Sequence, residues 1–193
     1  MIAIIDYQMG NLRSVEKAFL KGGARAVVTS DRNKILKAKK VVLPGVGAFG
    51  DVMKELKKLR LISVIKDSIN DSKPFFGVCL GMQLLFEKSE EAKGIPGLGI
   101  LKGSVKKFRL KPPLKVPHMG WNQLKGISGK PYVYFVHSYY CDPKDKDIIT
   151  ATTDYGINFA SMIQKGNIYG CQFHPEKSQG SGLKILESFI KKC

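Results

Sequence analysis

The chain has 193 residues, of which 44% are hydrophobic, so it suits one globular domain with a full core and not a disordered protein. Its apolar runs are too short to cross a membrane, and an N-terminus with no basic start and an early Asp6 is not typical of a signal peptide. The net charge of +16 would suit nucleic acid, but without a zinc finger, RNP motif or basic arm we favour a solvated lysine-rich surface. An acidic protein partner or a phosphorylated metabolite would also suit this charge.

Strands and helices alternate in the first half of the chain. The predicted strands are "MIAIID", "RAVVTS", "KKVVLPG" and "PFFGVC". The predicted helices are "NLRSVEKAFLKGG", "DRNKILKA" with Asp31 as N-cap, one or two helices within residues 48–71, and "LGMQLLFEK". This alternation predicts a parallel sheet with helices on its faces.

From about residue 94 the pattern changes to strand-like segments separated by turn residues. These segments are "GLGILKGSVKKFRL", "VPHMGWNQLK", "YVYFVHSYYCD", "IITATTDY", "NFASMIQKG" and "NIYGCQFHPE", and a last helix, "GLKILESFIKK", follows them. We expect one three-layer α/β domain over residues 1–193. Its central sheet is mainly parallel, is flanked by helices and has a mixed or antiparallel extension in the second half.

The four cysteines indicate reduced thiols and no disulfide framework. They lie far apart without a C-x-x-C pair, at Cys79, Cys141, Cys171 and Cys193. We therefore expect a cytoplasmic protein. Only Cys171 and His174 have metal-like spacing, and one such pair is weak evidence for zinc, so we expect no metal and no cofactor.

The segment from Gly77 to Gly81 has the pattern G-x-C-x-G, which is the nucleophile-elbow pattern with cysteine in place of serine. Small flanking residues let the backbone turn sharply from strand to helix, and Cys79 then stands at the carboxyl edge of the sheet, where α/β folds bind ligands. The following helix would place its positive end near the sulfur and favour a thiolate. A buried structural cysteine between two packing glycines is the alternative.

A cysteine nucleophile needs a base, and the base needs an acceptor that orients it. Among the three histidines, only His174 has a carboxylate at a suitable offset, in "HPE". Pro175 favours an extended His174, so that His174 and Glu176 can lie side by side. Taken alone, a surface histidine beside a solvated acid would be the simpler interpretation.

Acyl transfer also needs donors for an oxyanion. The backbone N–H of Leu80, directly after the cysteine, is one candidate. A second would come from the loop "LPGVGAFG", through Val46 or Gly47, where Gly45 and Gly47 let the backbone approach a ligand. An ordinary glycine turn before a helix is the alternative.

"PGVG", "GVCLGMQLL" and "QFHPE", in this order, resemble the triad-type (class I) glutamine amidotransferases along essentially the whole chain. Within that superfamily, "DYQMGNLRSV", "PHMGWN", "FVHSYY" and "QFHPEKS" are similar to the glutaminase subunits of imidazole glycerol phosphate synthases. An amidotransferase that serves another synthase, such as a sugar-amidating one, stays open. A redox sensor or chaperone with a cysteine elbow would leave "HPE" unexplained, and a nucleic-acid-binding module would have no use for Cys79.

The resemblance implies Cys79 as nucleophile, His174 as base and Glu176 as the residue that orients it. It also implies a glutamine pocket, for which the residues are Gly45, Gly47, Gln83, Glu91, His137, Ser138 and Tyr139. Glu87 and Glu90 lie close enough in sequence to compete with Glu91 for this assignment.

The implied reaction is hydrolysis of the glutamine amide through a cysteinyl thioester, with ammonia passed on for histidine synthesis. The implied partner is a cyclase subunit with a β/α-barrel fold, bound as a heterodimer. The resemblance directs four residues toward that partner: Asn11, Trp121, Asn122 and Lys177. Core packing is the alternative for Trp121, which is the sole tryptophan.

Overall fold

A seven-stranded sheet forms the centre of the computed structural model, which describes residues 1–10 and 12–191. In chain order the strands of these residues are β1 (Ile2–Ile5), β2 (Ala26–Thr29), β3 (Lys40–Leu43), β4 (Phe75–Val78), β5 (Phe86–Ser89), β6 (Leu101–Lys107), β7 (His118–Gln123), β8 (Tyr132–His137), β9 (Tyr139–Pro143), β10 (Ile149–Asp154), β11 (Asn158–Lys165) and β12 (Ile168–Cys171). The α-helices are α1 (Leu12–Lys21), α2 (Arg32–Lys37), α3 (Phe49–Lys58), α4 (Leu61–Asn70), α5 (Leu80–Gln83) and α6 (Gln179–Lys191).

The strand order of the central sheet is β10-β11-β12-β4-β3-β1-β2. Neighbours from β12 to β2 pair in parallel, whereas β10 and β11 extend the sheet antiparallel. The predicted mainly parallel α/β sheet with an antiparallel extension is therefore confirmed. Only part of the second half joins it, because β5, β6 and β9 form a three-stranded sheet and β7 and β8 form a two-stranded one.

Helices cover both faces of the central sheet, as the alternation of its buried side chains requires. In β1, Ile2 and Ile4 pack into the cluster that contains residues of α1 and α6. Ala3 and Ile5 belong to the opposite cluster, with residues of α2, α3 and α4. Two apolar cores on the two faces of one sheet make the three predicted layers.

Local signals placed most of the helices correctly. Asp31 caps α2, because its carboxylate accepts a hydrogen bond of 3.1 Å from the backbone N–H of Lys34. Residues 48–71 form two helices, and the left-handed backbone of Arg60, with φ of 55°, separates them.

The helix predicted for "LGMQLLFEK" is wrong beyond its first turn. Helix α5 ends at Gln83, and Phe86 begins a strand that pairs with β6. Leu84, Leu85 and Phe86 are all fully buried, so this segment has no polar face to turn toward solvent. The positive end that the sequence predicted behind the sulfur is therefore reduced to the free N–H groups of one helical turn.

The parallel strands direct their carboxyl ends to one edge of the sheet. The residues that follow β1, β3, β4 and β12 are Tyr7, the loop at residues 44–48, Cys79 and His174. None of the described helices is long and apolar enough to cross a membrane.

Candidate active site

Cys79 lies at the sharp turn between β4 and α5, in a backbone conformation that L-residues rarely adopt, with φ of 53° and ψ of −110°. Such strain costs about 1–3 kcal/mol and persists only where the surroundings fix it. Here the Cys79 N–H donates to the carbonyl oxygen of Cys171 at 2.7 Å. The turn predicted from G-x-C-x-G is therefore present in the structure.

The glycines around Cys79 are required by close backbone contacts. A Cβ atom on Gly81 would lie 1.9 Å from the Leu43 carbonyl oxygen, and one on Gly77 would lie 2.8 Å from the Gly81 oxygen. A Cβ atom on Gly45 would lie 2.1 Å from the Gly81 nitrogen. These neighbours are backbone atoms, which cannot move aside as the end of a flexible side chain could, so only glycine fits at these three positions. The loop after β3 therefore packs directly against the elbow.

His174 and Glu176 form a buried pair just after β12. The His174 Nδ1 and Glu176 Oε1 atoms are 2.8 Å apart, and the two side chains are 4% and 7% exposed. His174 is extended, as Pro175 predicts, but Pro175 also begins a 3₁₀ turn, Pro175–Lys177, and this turn brings Glu176 back to the ring. The second carboxylate oxygen, Oε2, is buried without a partner among the described residues.

The His174 imidazole lines the same cavity as Cys79 and pairs with Glu176. Burial lowers the pKa of His174, but hydrogen bonds to Cys79 and Glu176 and their negative charges raise it more, so that its pKa rises to about 10. An imidazolium is thus stable beside the sulfur at neutral pH. This is the arrangement that an activated cysteine requires.

Cys79 and His174 line one cavity of about 340 Å³ at the carboxyl edge of the sheet. The same cavity collects the predicted oxyanion and pocket residues, which are Gly45, Val46, Gly47, Leu80, Gln83, Glu91, His137, Ser138 and Tyr139. Pro117 and Val136 also line it and were not predicted. A larger groove of about 530 Å³ lies between α6 and strands β10 to β12, and none of these residues lines it.

The candidate oxyanion donors are not equally free. Leu80 is the first residue of α5, where N–H groups have no carbonyl of their own helix to bind. The Val46 N–H instead donates to the Tyr7 hydroxyl oxygen at 3.3 Å, and that hydroxyl donates to the Pro44 oxygen at 2.8 Å. Tyr7 therefore holds the glycine loop, a role that the sequence did not reveal.

The geometry separates the three neighbouring carboxylates. Glu91 lines the cavity, and its Oε2 accepts from the Phe49 N–H at 2.9 Å, whereas its other oxygen has no hydrogen bond to the described residues and is left for a ligand. Glu87 binds the Gly103 N–H and Lys102, and Glu90 binds the Lys107 N–H. Neither of these two lines the cavity.

His137 contributes to the cavity in a different way from Cys79 and His174. Its Nε2 lies 3.0 Å from Nδ1 of His118, and its Nδ1 lies 2.8 Å from the Tyr139 carbonyl oxygen. Burial lowers the pKa of His137 to about 3, so the ring is neutral. With both nitrogens engaged, this residue can offer a ligand its backbone but not its ring.

Three of the four residues directed toward a partner are described, and Asn11 lies outside the described residues. Trp121 is 47% exposed on β7, so core packing does not account for it. The Asn122 amide donates to the Asp154 carbonyl oxygen at 2.9 Å and contacts Nε2 of His118 at 3.3 Å. The Lys177 ammonium lies 6.0 Å from the centre of the Tyr134 ring.

Gln172 is a further residue that sequence reasoning missed. It stands in the quoted "QFHPE" motif and is fully buried. Its amide Nε2 lies 3.6 Å from the Cys79 sulfur. Its position two residues before His174 on the same strand end could have indicated that it reaches the site.

Comparison with known proteins agrees with this geometry. The model of the class-I glutamine amidotransferase family matches residues 3–193. Proteins named imidazole glycerol phosphate synthase subunit HisH are similar throughout: the chain is 48% identical to that of Rhodopirellula baltica, over 98% of this chain and 96% of the relative. The relative from Methanococcus maripaludis is 50% identical, over 99% of both chains.

Solved structures share the fold at low sequence identity. A crystal structure of a glutamine amidotransferase superposes with a TM-score of 0.79 at 16% identity, covering 100% of both chains. The structure of PurLQS from Thermotoga maritima gives a TM-score of 0.72 at 17% identity, covering 98% of this chain and 96% of the other. From the matched model and the close relatives, the chain belongs to the class I glutamine amidotransferases and, within them, to the family of the imidazole glycerol phosphate synthase subunit HisH.

Proposed function

We propose that this chain is the glutaminase subunit of an imidazole glycerol phosphate synthase, with Cys79 as nucleophile, His174 as acid and base, and Glu176 as the residue that orients His174. The observation that carries the assignment is the buried His174–Glu176 pair at 2.8 Å, joined to a strained cysteine in one cavity. A merely structural cysteine would need neither the strain nor the charged partner.

The reaction begins when the Cys79 thiolate attacks the side-chain amide carbon of glutamine. A bond forms between sulfur and carbon, and the amide oxygen takes the negative charge. The Leu80 N–H donates to this oxygen, and the second donor comes from the Val46–Gly47 segment. The Val46 N–H can serve only after it leaves the Tyr7 hydroxyl that it binds here.

The intermediate collapses when imidazolium His174 gives its proton to the departing nitrogen, which leaves as ammonia. A glutamyl thioester on Cys79 remains. Neutral His174 then takes a proton from water, the resulting hydroxide attacks the thioester, and the thiolate leaves as glutamate is released. Glu176 holds the ring in place and stabilises its charged form in both halves of the reaction.

Glutamine would be held by charge at one end and by backbone at the other. The free oxygen of Glu91 is suited to the substrate ammonium group, and Gln83 and the 137–139 backbone line the same cavity. The backbone around Gly45 and Gly47 comes close enough to contact the chain of the substrate. No metal or cofactor enters this chemistry.

The ammonia needs a second subunit that consumes it. We propose a cyclase with a β/α-barrel fold, bound as a heterodimer over the edge of the sheet where the site opens and on the face of β7 that carries Trp121. A small cavity of about 80 Å³ beside Glu176 and Lys177 lies toward Met9 and Gly10, on the same edge. The subunit would work in the cytoplasm, where thiols stay reduced.

Cys79→Ala should abolish glutamate release from glutamine, because Cys79 supplies the one thiol among the described residues that line the cavity. Ammonium salts added to the complex with the cyclase should still support product formation. The measurement is synthase turnover with glutamine and with ammonium, and the ammonium arm controls for folding and docking. Loss of both activities would contradict the proposed coupling.

Glu176→Gln should lower the rate of glutamate release by about 10²-fold or more, because the ring loses its orienting acceptor. The Glu176 carboxylate raises the pKa of His174, so its removal lowers that pKa. His174 then loses, at a lower pH, the proton that it must give to the departing ammonia. The alkaline limb of the pH–rate profile, expected near pH 10 in the wild type, should move down.

Glu55→Gln is the matched control for this change, because among the described residues the Glu55 carboxylate pairs with exposed Lys58 on α3, and its loss should alter neither rate nor profile. An alkaline limb that stays in place in Glu176→Gln would remove Glu176 from the mechanism.

Glu91→Gln should raise KM for glutamine roughly 10- to 100-fold with a smaller change in kcat, because a charge-assisted contact to the substrate ammonium is lost. The amide oxygen can still accept from the Phe49 N–H, so α3 keeps its cap. Glu90→Gln is the matched control, since this neighbour faces the Lys107 backbone instead of the cavity. Equal KM values for both variants would show that Glu91 does not bind substrate.

Trp121→Ala should weaken cyclase binding roughly 30-fold, as expected for an exposed aromatic anchor at the centre of an interface. Leu20→Ala is the control: Leu20 is 50% exposed and lies at the end of α1 that points to the opposite edge of the sheet. Titration calorimetry of each variant with the cyclase measures the effect. Identical Kd values for the two variants would place the interface elsewhere.

A further inference from the structure

We infer that Gln172 is a positioning residue for Cys79, because its side-chain amide is locked so that an N–H group, and not the oxygen, faces the sulfur. The inference deepens the proposed function and rests on it only in taking Cys79 as the reactive group. The Gln172 Nε2 atom lies 3.6 Å from Sγ, and Gln172 is 0% exposed.

The orientation of this amide is dictated by a backbone carbonyl at the far end of a short chain of hydrogen bonds. The Tyr139 carbonyl oxygen can only accept, so the Gln83 amide must turn its nitrogen toward it, and they are 3.0 Å apart. The same nitrogen carries a second hydrogen, which points at Gln172 at 3.1 Å. Gln172 must therefore present its Oε1 to Gln83, and its own nitrogen is left to face Cys79.

The other lone pair of the Tyr139 carbonyl is also occupied, by Nδ1 of His137 at 2.8 Å. Both lone pairs of this carbonyl oxygen are therefore occupied, and it has no capacity to accept from a further donor. Gln83 and Gln172 are 4% and 0% exposed, so solvent does not compete for their amide groups. Reversing either amide would place two acceptors or two donors against each other.

An N–H donor fixed on sulfur has a definite chemical consequence. It stabilises the thiolate, which is an acceptor, more than the thiol, and it restricts the position of the sulfur within the cavity. The chain also leaves the Gln83 Oε1 as the atom that this amide can offer to a donor in the cavity. One carbonyl thus orients both the nucleophile and a substrate-binding amide.

Two substitutions at Gln172 test this role. Gln172→Glu keeps the shape of the side chain and replaces the donor on sulfur by oxygen, and Gln172→Met keeps the length and removes both polar groups. Gln164→Glu makes the same chemical change at an exposed position of β11 and is the matched control. Far-UV circular dichroism of each variant establishes that it is folded.

The measurement is the rate at which iodoacetamide alkylates Cys79 between pH 5 and pH 9, followed by mass spectrometry of the peptide that contains it. Both Gln172 variants should react roughly tenfold more slowly at pH 7, with the profile moved to higher pH, whereas Gln164→Glu follows the wild type. kcat for glutamate release should fall in parallel, with less change in KM.

A folded Gln172→Glu variant whose alkylation profile coincides with the wild type would overturn the inference. If both Gln172 variants unfold, Gln83→Met decides, because it frees the Gln172 amide without altering it and should move the profile in the same direction; an unmoved profile overturns the inference. Alkylation needs no glutamine, so a wild type that releases no glutamate while the variant profiles differ would contradict the proposed function and support the role of Gln172.

Discussion

The parallel pairing of β4 with β12 is the constraint on which the site depends. The register places Val78 opposite Cys171, and the Cys79 N–H continues the ladder by donating to the Cys171 oxygen at 2.7 Å. The cysteine that follows one strand is thereby set beside a histidine that comes three residues after the end of the neighbouring strand. The two side chains are 95 positions apart in sequence, and only the sheet brings them together.

This pairing also determines why the elbow needs its glycines. The loop after β3 lies on the other side of β4, and the Leu43 oxygen sits where a side chain on residue 81 would begin. The elbow is consequently enclosed by backbone on both sides. These contacts hold the strained backbone of Cys79 in place, at a position where the residue lines the cavity.

The buried pair of His174 and Glu176 is held together by charge, but one carboxylate oxygen of the pair stays buried without a hydrogen bond to the described residues. Burial alone would lower the pKa of His174, and Cys79 with Glu176 reverses that effect. Glu176 keeps one oxygen without a partner among the described residues, in a position next to the small cavity toward Met9. Burying a carboxylate with only one oxygen hydrogen-bonded is destabilising, and such destabilisation is typical of residues that serve chemistry instead of stability.

Local patterns allowed the sheet, its helices and the elbow to be predicted, since these depend on residues within a few positions of each other. The same patterns failed for the segment after Gln83, where full burial of three consecutive apolar residues replaced a helix by a strand. They also could not reveal Tyr7 or Gln172, because Tyr7 contacts a residue 39 positions away and Gln172 contacts one 93 positions away. The sequence left three glutamates as candidates for the carboxylate of the pocket. The structure singles out Glu91, because it lines the cavity and accepts from the Phe49 N–H.

The two-residue period of β7 connects the outer surface to the cavity that Cys79 and His174 line. Met119 and Trp121 point outward from β7 and are 61% and 47% exposed. His118, the first residue of the same strand, points inward, is 2% exposed and contacts His137. His137 in turn binds the Tyr139 carbonyl, which also fixes Gln83. A protein that docks on the outward face of β7 therefore contacts a strand that is linked to the cavity from its inward face. The link runs through the His118 and His137 rings to the Tyr139 carbonyl, which orients Gln83.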